Sequence, residues 1–349
     1  MNTRRVCVLA WGGAAVSWEL STPGRLVPSL ATCAAFLLLA TGCALHIRRE
    51  LLAELRRSQE IAGAAQRALL RPLPGRIDGL TLAAAQLSAS RGAAVGGDLY
   101  EAVPTAYGIR LVIGDVRGHG LPALGAAAAV LGAFREAAYD EVALDGVLRR
   151  MERALGRYLR DRARSEHPSS CPAEPESPTA EEFVTVLLLQ IAPDGTLTAL
   201  NCGHPWPYLL SPDPVPEPCA VRGAAPAPQA SGPTVRAEPG TGPARRPTRV
   251  RALDGGDPLP PLGVLPVPVD VRTHACGELL PGETLFLHTD GAEEARDATG
   301  VFFPLRSVLT EAPPTPARLV AGVHAALLRH TGGRLADDVA LLVLRNDRS

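Results

Sequence analysis

The sequence predicts an α+β fold of antiparallel sheets with helices packed on their outer faces. Three observations predict it. Short apolar runs of β character recur from Thr81 onward, many joined in hairpin order by Gly- or Pro-containing turns. Helical patterns are grouped in the middle and at the end of this region. Alternating βαβ units and Gly-rich nucleotide fingerprints are missing, so a Rossmann or P-loop reading is poor.

The N-terminal region differs in character. Val6 to Leu20 is apolar apart from Ser17 and Glu19, and Leu26 to His46 is a second, longer apolar run. The second is long enough for a bilayer, which needs roughly 20 residues. Arg4 and Arg5 precede the first run, Arg48, Arg49, Arg56 and Arg57 follow the second, and the connection holds only Arg25. The positive-inside rule then places both ends in the cytoplasm, as a membrane hairpin or anchor over residues 1–46. A signal peptide, a lipoprotein box at Ala40-Thr-Gly-Cys43 and a buried helix are the competing readings.

Residues 47–74 read as a charged linker helix. Leu51, Leu55, Ser58, Ala62, Ala65 and Leu69 form a thin heptad seam, which suits either packing on the chain's own domain or a signalling helix that forms a homodimer through residues 47–70. Pro72 and Pro74 end it. A domain over 75–346 follows. Its expected strands are Thr81 to Ser90, a segment around Val103, Tyr107 to Ile113, Phe183 to Ile191, Thr196 to Leu200, Tyr208 to Leu210, Val269 to His274, Glu283 to Thr289 and Val339 to Leu344. Its expected helices are His119 to Tyr139, Leu144 to Arg164 and Pro316 to His330. Two Pro-rich segments, near 165–181 and 211–247, lack apolar periodicity and read as disordered insertions.

Composition limits the function classes. With 46% hydrophobic and 20% charged residues, the 349-residue chain can build a sizeable core. A formal net charge of -1 gives no electrostatic footprint for nucleic acid. The seven cysteines are scattered without a Cys-x-x-Cys pair, which indicates neither a zinc site nor a disulfide framework.

The candidate chemistry lies in aspartates at strand ends. Asp98 follows Gly96-Gly97, Asp115 follows Gly114, Asp290 precedes Gly291, and Asp337-Asp338 precedes the last strand. Clustered carboxylates repel one another unless protonated or neutralised by a cation. No His or Cys joins them at ligand spacing, so the donors are all oxygen, which selects Mg²⁺ or Mn²⁺. A shared carboxylate can bridge two such ions roughly 3.5–4 Å apart, activating a water as the nucleophile of a phosphoryl transfer.

Five segments, in order, carry a family resemblance: Val95-Gly-Gly-Asp98, Gly114-Asp-Val-Arg-Gly-His-Gly120, Asn201-Cys-Gly-His-Pro205, Thr289-Asp-Gly-Ala-Glu-Glu294 and Asp337-Asp-Val-Ala-Leu-Leu342. Together they resemble the PPM-type (protein phosphatase 2C-like) metal-dependent serine/threonine phosphatases, in their bacterial SpoIIE-like branch. Gln66 to Pro74 looks like that branch's linker into the domain. The resemblance implies an αββα sandwich of two antiparallel sheets with two metal ions at one edge. It implies that Asp115 bridges the ions, that Asp98 and the Val116 carbonyl complete one, and that Asp290 and Asp337 complete the other. Asp338 is the lesser candidate of its pair. The implied substrate is phosphoserine or phosphothreonine on a regulatory protein, an anti-sigma-factor antagonist in that branch. A catalytically silent sandwich that binds a partner is the alternative.

Leu99 stands where the branch usually has an aromatic, Glu101 where it often has Asp, and Arg117 where Ser is commoner. Arg91 and Arg117 are weak candidates for holding phosphate. His204 reads as ordering a turn beside the site, His119 as positioning a loop at a helix start, and Cys202 and Trp206 as packing residues. Glu293 and Glu294 read as a solvated helix start.

Overall fold

The computed structural model describes residues 26–87, 96–118, 120–166, 182–212, 248–313 and 315–348. The first apolar run (residues 6–20), its connection to the second, Arg91, Val95, His119 and most of both Pro-rich segments lie outside the described residues. The chain divides into two compact units, one ending at Ile61 and the other beginning at Ala62.

Helix α1, Leu26–Leu69, is one continuous helix. It contains both the second apolar run and the segment read as a separate linker. Leu37, Leu38, Leu39, Leu45, Ile47, Leu51 and Leu52 are exposed on it. It ends before Pro72 and Pro74, where the missing N–H and the preceding-residue restriction stop helix propagation.

The second unit starts at the last two turns of α1. The strands follow as β1 (Arg76–Ile77), β2 (Leu80–Leu87), β3 (Leu99–Thr105) and β4 (Gly108–Val116), then helices α2 (Leu121–Asp140) and α3 (Leu144–Glu166). Next come β5 (Val184–Ile191), β6 (Thr196–Cys202), β7 (Tyr208–Pro212), β8 (Thr248–Ala252), β9 (His274–Glu278) and β10 (Thr284–His288). Short helices α4 (Gly291–Glu294) and α5 (Leu305–Glu311), helix α6 (Pro316–His330) and strand β11 (Val339–Asn346) complete the chain.

Two antiparallel sheets result. One has the order β1-β2-β11-β10-β7-β8 and the other β3-β4-β5-β6-β9. Their central strands are apolar on both sides because both faces are covered. In β4, Ile109, Leu111 and Ile113 fill the space between the sheets, whereas Val112 and Val116 face α2 and α3. Leu187, Leu189 and Ile191 of β5 point inward, and Val184, Val186 and Leu188 point to the same helices. In β11, Ala340, Leu342 and Leu344 pack between the sheets and Val339, Leu341 and Val343 pack under α5 and α6. Three stacked hydrophobic layers therefore define an αββα sandwich, the arrangement implied by the motifs.

Among the described residues, the helix long and apolar enough to cross a membrane is α2. It is a core helix, with Val130, Leu131 and Phe134 fully buried against the sheet. Its C-terminal carbonyls are held by Arg110 of β4. This fully buried guanidinium donates to the carbonyls of Ala138, Glu141 and Val142 at 2.9, 2.5 and 2.6 Å. The orphan acceptors of a helix end are satisfied by a strand beneath it.

Three expectations are corrected. Residues 269–273 are not a strand, and the edge strand β9 begins at His274. Pro266 and Pro268 precede Val269, which is highly exposed, and apolar residues that point to solvent gain nothing from pairing there. Ser211 and Pro212, read as part of the insertion near 211–247, instead extend β7 and pair with Arg249 and Thr248 of β8. Ser165 and Glu166, read as part of the insertion near 165–181, instead finish α3.

Candidate metal centre

All four aspartate segments arrive at one edge of the sandwich. Asp115 is the penultimate residue of β4, Asp98 immediately precedes β3, Asp290 follows β10 as the N-cap of α4, and Asp337-Asp338 runs into β11. Antiparallel pairing explains the grouping. Leu99 is opposite Gly114, and His288 is opposite Leu341, so the ends of β3 and β4 and of β10 and β11 come together pairwise. The backbone N–H of Val116 donates to Gly97 O at 3.2 Å and draws the Asp98 segment onto the end of β4.

Glycine makes this packing possible. A Cβ on Gly97 would overlap the Val116 carbonyl oxygen and lie 2.8 Å from Asp115 Oδ1. A Cβ on Gly96 would overlap the Asp338 carboxylate, and one on Gly291 would overlap the Asp338 carbonyl oxygen.

The electrostatics register the crowding. Burial holds the Asp98 carboxyl well above the usual carboxylate range, and the charges of Asp115, Asp338 and Asp337 add to this. A hydrogen bond with the Thr289 side chain works in the opposite direction. Asp115 is pushed up to about 8, first by burial and then by Asp290, Asp337 and Asp338. Asp290 is raised by burial, Asp337 and Glu294. Asp98 Oδ2 is buried without a hydrogen-bond partner. Asp337 is exposed and accepts from the Asp338 N–H at 2.8 Å, whereas Asp338 is buried.

Among the described residues, no three carboxylate, imidazole or thiol groups already converge on one ion-sized point. The aspartates share an edge without forming a closed shell. Their chemistry nevertheless fits a hard divalent cation. The donors are oxygens, one of them is a buried orphan, and their mutual charge is the kind that a cation offsets.

Several supporting residues were not apparent as such in the sequence. Thr289 binds Asp98 and accepts the Ala340 N–H at 2.9 Å. Thr185 Oγ1 of β5 accepts the Asp115 backbone N–H, at 3.3 Å from its nitrogen. An isolated hydroxyl in an apolar strand carries no local signal that distinguishes such a role from packing.

The remaining candidates fall into place. His204 is buried and its ring is bonded on both sides, to Thr185 Oγ1 and His288 O, which agrees with an ordering role. Burial pushes its imidazole down to about 3, so it is neutral. Cys202 is a buried core thiol pushed up to about 12 by desolvation. Trp206 packs over Gly255 and against the layer between the sheets. Leu99 is a fully buried core residue, and Arg117 lays its guanidinium over the Phe183 ring. Glu293 accepts the Tyr208 hydroxyl at 2.7 Å, so it is tied into the fold rather than merely solvated, while Glu294 is exposed.

The comparisons with known proteins agree with this architecture. No curated protein sequence matches the chain. The fold is similar to the SiaA-PP2C domain of Pseudomonas aeruginosa, with a TM-score of 0.52 and 18% identity over 86% of this chain and 98% of that one. It is also similar to the RsbU and RsbW domains of Rv1364c from Mycobacterium tuberculosis, with a TM-score of 0.49 and 22% identity over 78% of this chain. The match spans 61% of the length of that protein. The PP2C phosphatase domain and regulatory fragment of SpoIIE from Bacillus subtilis matches with a TM-score of 0.49 and 14% identity, over 76% of this chain and 63% of that one. The model of the family described as Stage II sporulation protein E (SpoIIE) matches residues 105–240 and 243–347, well over half of the sequence. This chain therefore belongs to the SpoIIE family, a PP2C-like branch of the PPM-type phosphatases.

Proposed function

We propose that the chain is a divalent-metal-dependent protein-serine/threonine phosphatase. In this reading Asp98, Asp115, the Val116 carbonyl, Asp290 and Asp337 hold two Mn²⁺ or Mg²⁺ ions. The observation that carries it is the convergence of the buried Asp98 and the half-buried Asp115 and Asp290 as charge-coupled aspartates at one sandwich edge, in a chain of this family. Asp115 is coupled to Asp98 on one side and Asp290 on the other, which suits it to bridge. When bound, the ions supply Lewis acidity that activates water and offsets phosphoryl charge. The chain's own part is to fix the carboxylates. Gly97 lets the Val116 carbonyl and Asp115 approach, and Thr289 orients Asp98.

Family membership supports phosphoserine or phosphothreonine on a regulatory protein as the substrate, with an anti-sigma-factor antagonist as the proposed target. Hydrolysis of a phosphopeptide or an aryl phosphate is expected to require added Mn²⁺ or Mg²⁺ and to vanish in Asp115→Asn and Asp290→Asn. Wild-type turnover in both variants at saturating metal would rule out the two-ion reading. Failure of the wild-type protein to bind Mn²⁺ in calorimetry would favour a silent, partner-binding sandwich.

The N-terminal segment is proposed as a membrane anchor or hairpin that keeps the catalytic domain cytoplasmic. The exposed Leu37, Leu38 and Leu39 support it. So does Thr41, whose hydroxyl donates to the Leu37 carbonyl at 2.7 Å and thus needs no water. Residues 47–70 are the proposed dimer contact, with Leu51 and Leu52 exposed on α1. Cysteine labelling at an engineered site between Ser21 and Gly24 tests the topology. The hairpin requires labelling from outside intact cells there and none in the catalytic domain.

A further inference from the structure

We infer that His204 is a positioning residue, a hydrogen-bonded strut that sets the spacing between Asp115 on one sheet and Asp290 on the other. The inference rests on the reading of these aspartates as a cation site. The His204 ring crosses between the sheets. Its Nε2 lies 3.1 Å from the carbonyl oxygen of His288, two residues before Asp290. Its Nδ1 lies 3.1 Å from Thr185 Oγ1, which is 3.3 Å from the backbone N of Asp115.

The direction of each bond follows from chemistry. A carbonyl oxygen can only accept, so Nε2 carries the proton and donates to His288. Nδ1 of the neutral ring is then an acceptor, and the Thr185 hydroxyl donates to it. The same hydroxyl oxygen accepts the Asp115 N–H. One unbroken chain therefore runs from the Asp115 backbone through Thr185 and His204 to the strand that ends at Asp290. The near end is itself rigid, because Asn201 accepts the His204 N–H and donates to the His204 carbonyl, both at 2.8 Å. The ring is almost fully buried, so no water competes for either nitrogen. Outer-shell groups that orient metal ligands typically alter affinity 10–100-fold when removed, and this strut acts on the backbone that carries two of them.

The test is Mn²⁺ calorimetry on the full chain, paired with unfolding in EDTA. Thr185→Val keeps the shape of the half-buried side chain but breaks the strut. It is expected to weaken Mn²⁺ binding about tenfold or more, while Thr185→Ser, which restores the hydroxyl, binds like wild type. His204→Phe weakens binding as well. The double variant Thr185→Val/His204→Phe is no weaker than the worse single variant, because both interrupt one chain. Wild-type Mn²⁺ affinity in Thr185→Val, or losses that multiply in the double variant, would overturn the strut. Should His204→Phe fail to fold, the Val/Ser contrast at Thr185 decides. Asp115→Asn separates the two levels of argument. Loss of Mn²⁺ binding there with normal binding in Thr185→Val refutes the strut alone, whereas normal binding in Asp115→Asn refutes the cation-site reading beneath it.

Discussion

The Val116 carbonyl oxygen occupies the space where Gly97 would carry a side chain. A Cβ added to Gly97 would overlap that oxygen and stand 3.0 Å from the Val116 nitrogen and 2.8 Å from Asp115 Oδ1. Two of the three neighbours are backbone atoms of β4, which cannot rotate away. Gly97→Ala must therefore displace either the Asp98 segment or the end of β4. Overpacking of this kind costs about 1–3 kcal/mol. The expected outcome is a lower urea midpoint together with loss of Mn²⁺ binding. Unchanged Mn²⁺ binding would show that the carbonyl and the Asp98 segment do not need this close approach.

The aspartate edge makes a pH prediction for the metal-free protein. The Asp115 carboxyl is pushed up to about 8 in the folded state, mainly by burial, from an ordinary value of 3.8. The folded state thus binds this proton more tightly than the unfolded chain does. Its contribution is fully present below pH 3.8 and is lost as pH rises through about 8. The buried, neutral His204 and His288 act in the opposite direction below their ordinary value of 6.5, so the comparison must be with a matched variant. In EDTA, stability relative to Asp115→Asn is expected to fall as pH rises from about 4 to about 8. Saturating Mn²⁺ should abolish the decline. A difference that stays flat across that range contradicts the burial of this charge.

Asp337 and Asp338 should separate by substitution. Asp338 is wedged against Gly96 by its carboxylate and against Gly291 by its carbonyl, whereas Asp337 is exposed. Asp338→Asn preserves the wedge and removes one like charge from beside Asp98 and Asp115. It is expected to leave metal-free stability unchanged or raised and to retain metal-dependent hydrolysis. Asp337→Asn is expected to lose one of the two Mn²⁺ equivalents in calorimetry with little effect on unfolding. The reverse ranking would make Asp338 the ligand of the pair.

Much of the fold was legible because β5 and β11 carry the apolar runs Val186–Leu189 and Val339–Leu344 and Pro316 marks the start of α6. Strand β8 was not. Thr248–Ala252 alternates Arg with small residues and buries only Val250 well, so its pairing with β7 is a tertiary choice that its composition does not announce. The same division applies to the site. Asp98, Asp115 and Asp290 stood out because adjacent glycines mark close backbone approach. The strut through Thr185 and His204 depends on how two sheets face each other, and no local pattern encodes that distance.

The length of the Glu101 side chain has a structural use. Its carboxylate reaches Arg135 of α2, accepting from Nη2 at 2.6 Å and Nε at 2.8 Å. The same Nη2 donates to the Leu69 carbonyl at 2.7 Å, which closes the last turn of α1. Both side chains are largely buried, at 19% and 7% exposure, so the pair is shielded from water. Three elements meet at this guanidinium: the end of α1, strand β3 and helix α2. Beside it, Gln66 donates to the Gly96 carbonyl at 3.3 Å, and Leu70 packs into the layer beneath α2 and α3. Removing Arg135 leaves a buried carboxylate and an orphan carbonyl, and breaking such a pair costs about 3–5 kcal/mol. Arg135→Met is expected to fall in that range by urea unfolding and to speed amide exchange at Leu69 and Leu70. Glu101→Gln/Arg135→Met should cost less than the sum of its singles, because neither charge is then left unpaired. Glu101→Asp should also lose stability, since the shorter side chain withdraws from the guanidinium. Additive losses, or unchanged exchange at Leu69 and Leu70, would show that this arginine does not hold the last turn of α1.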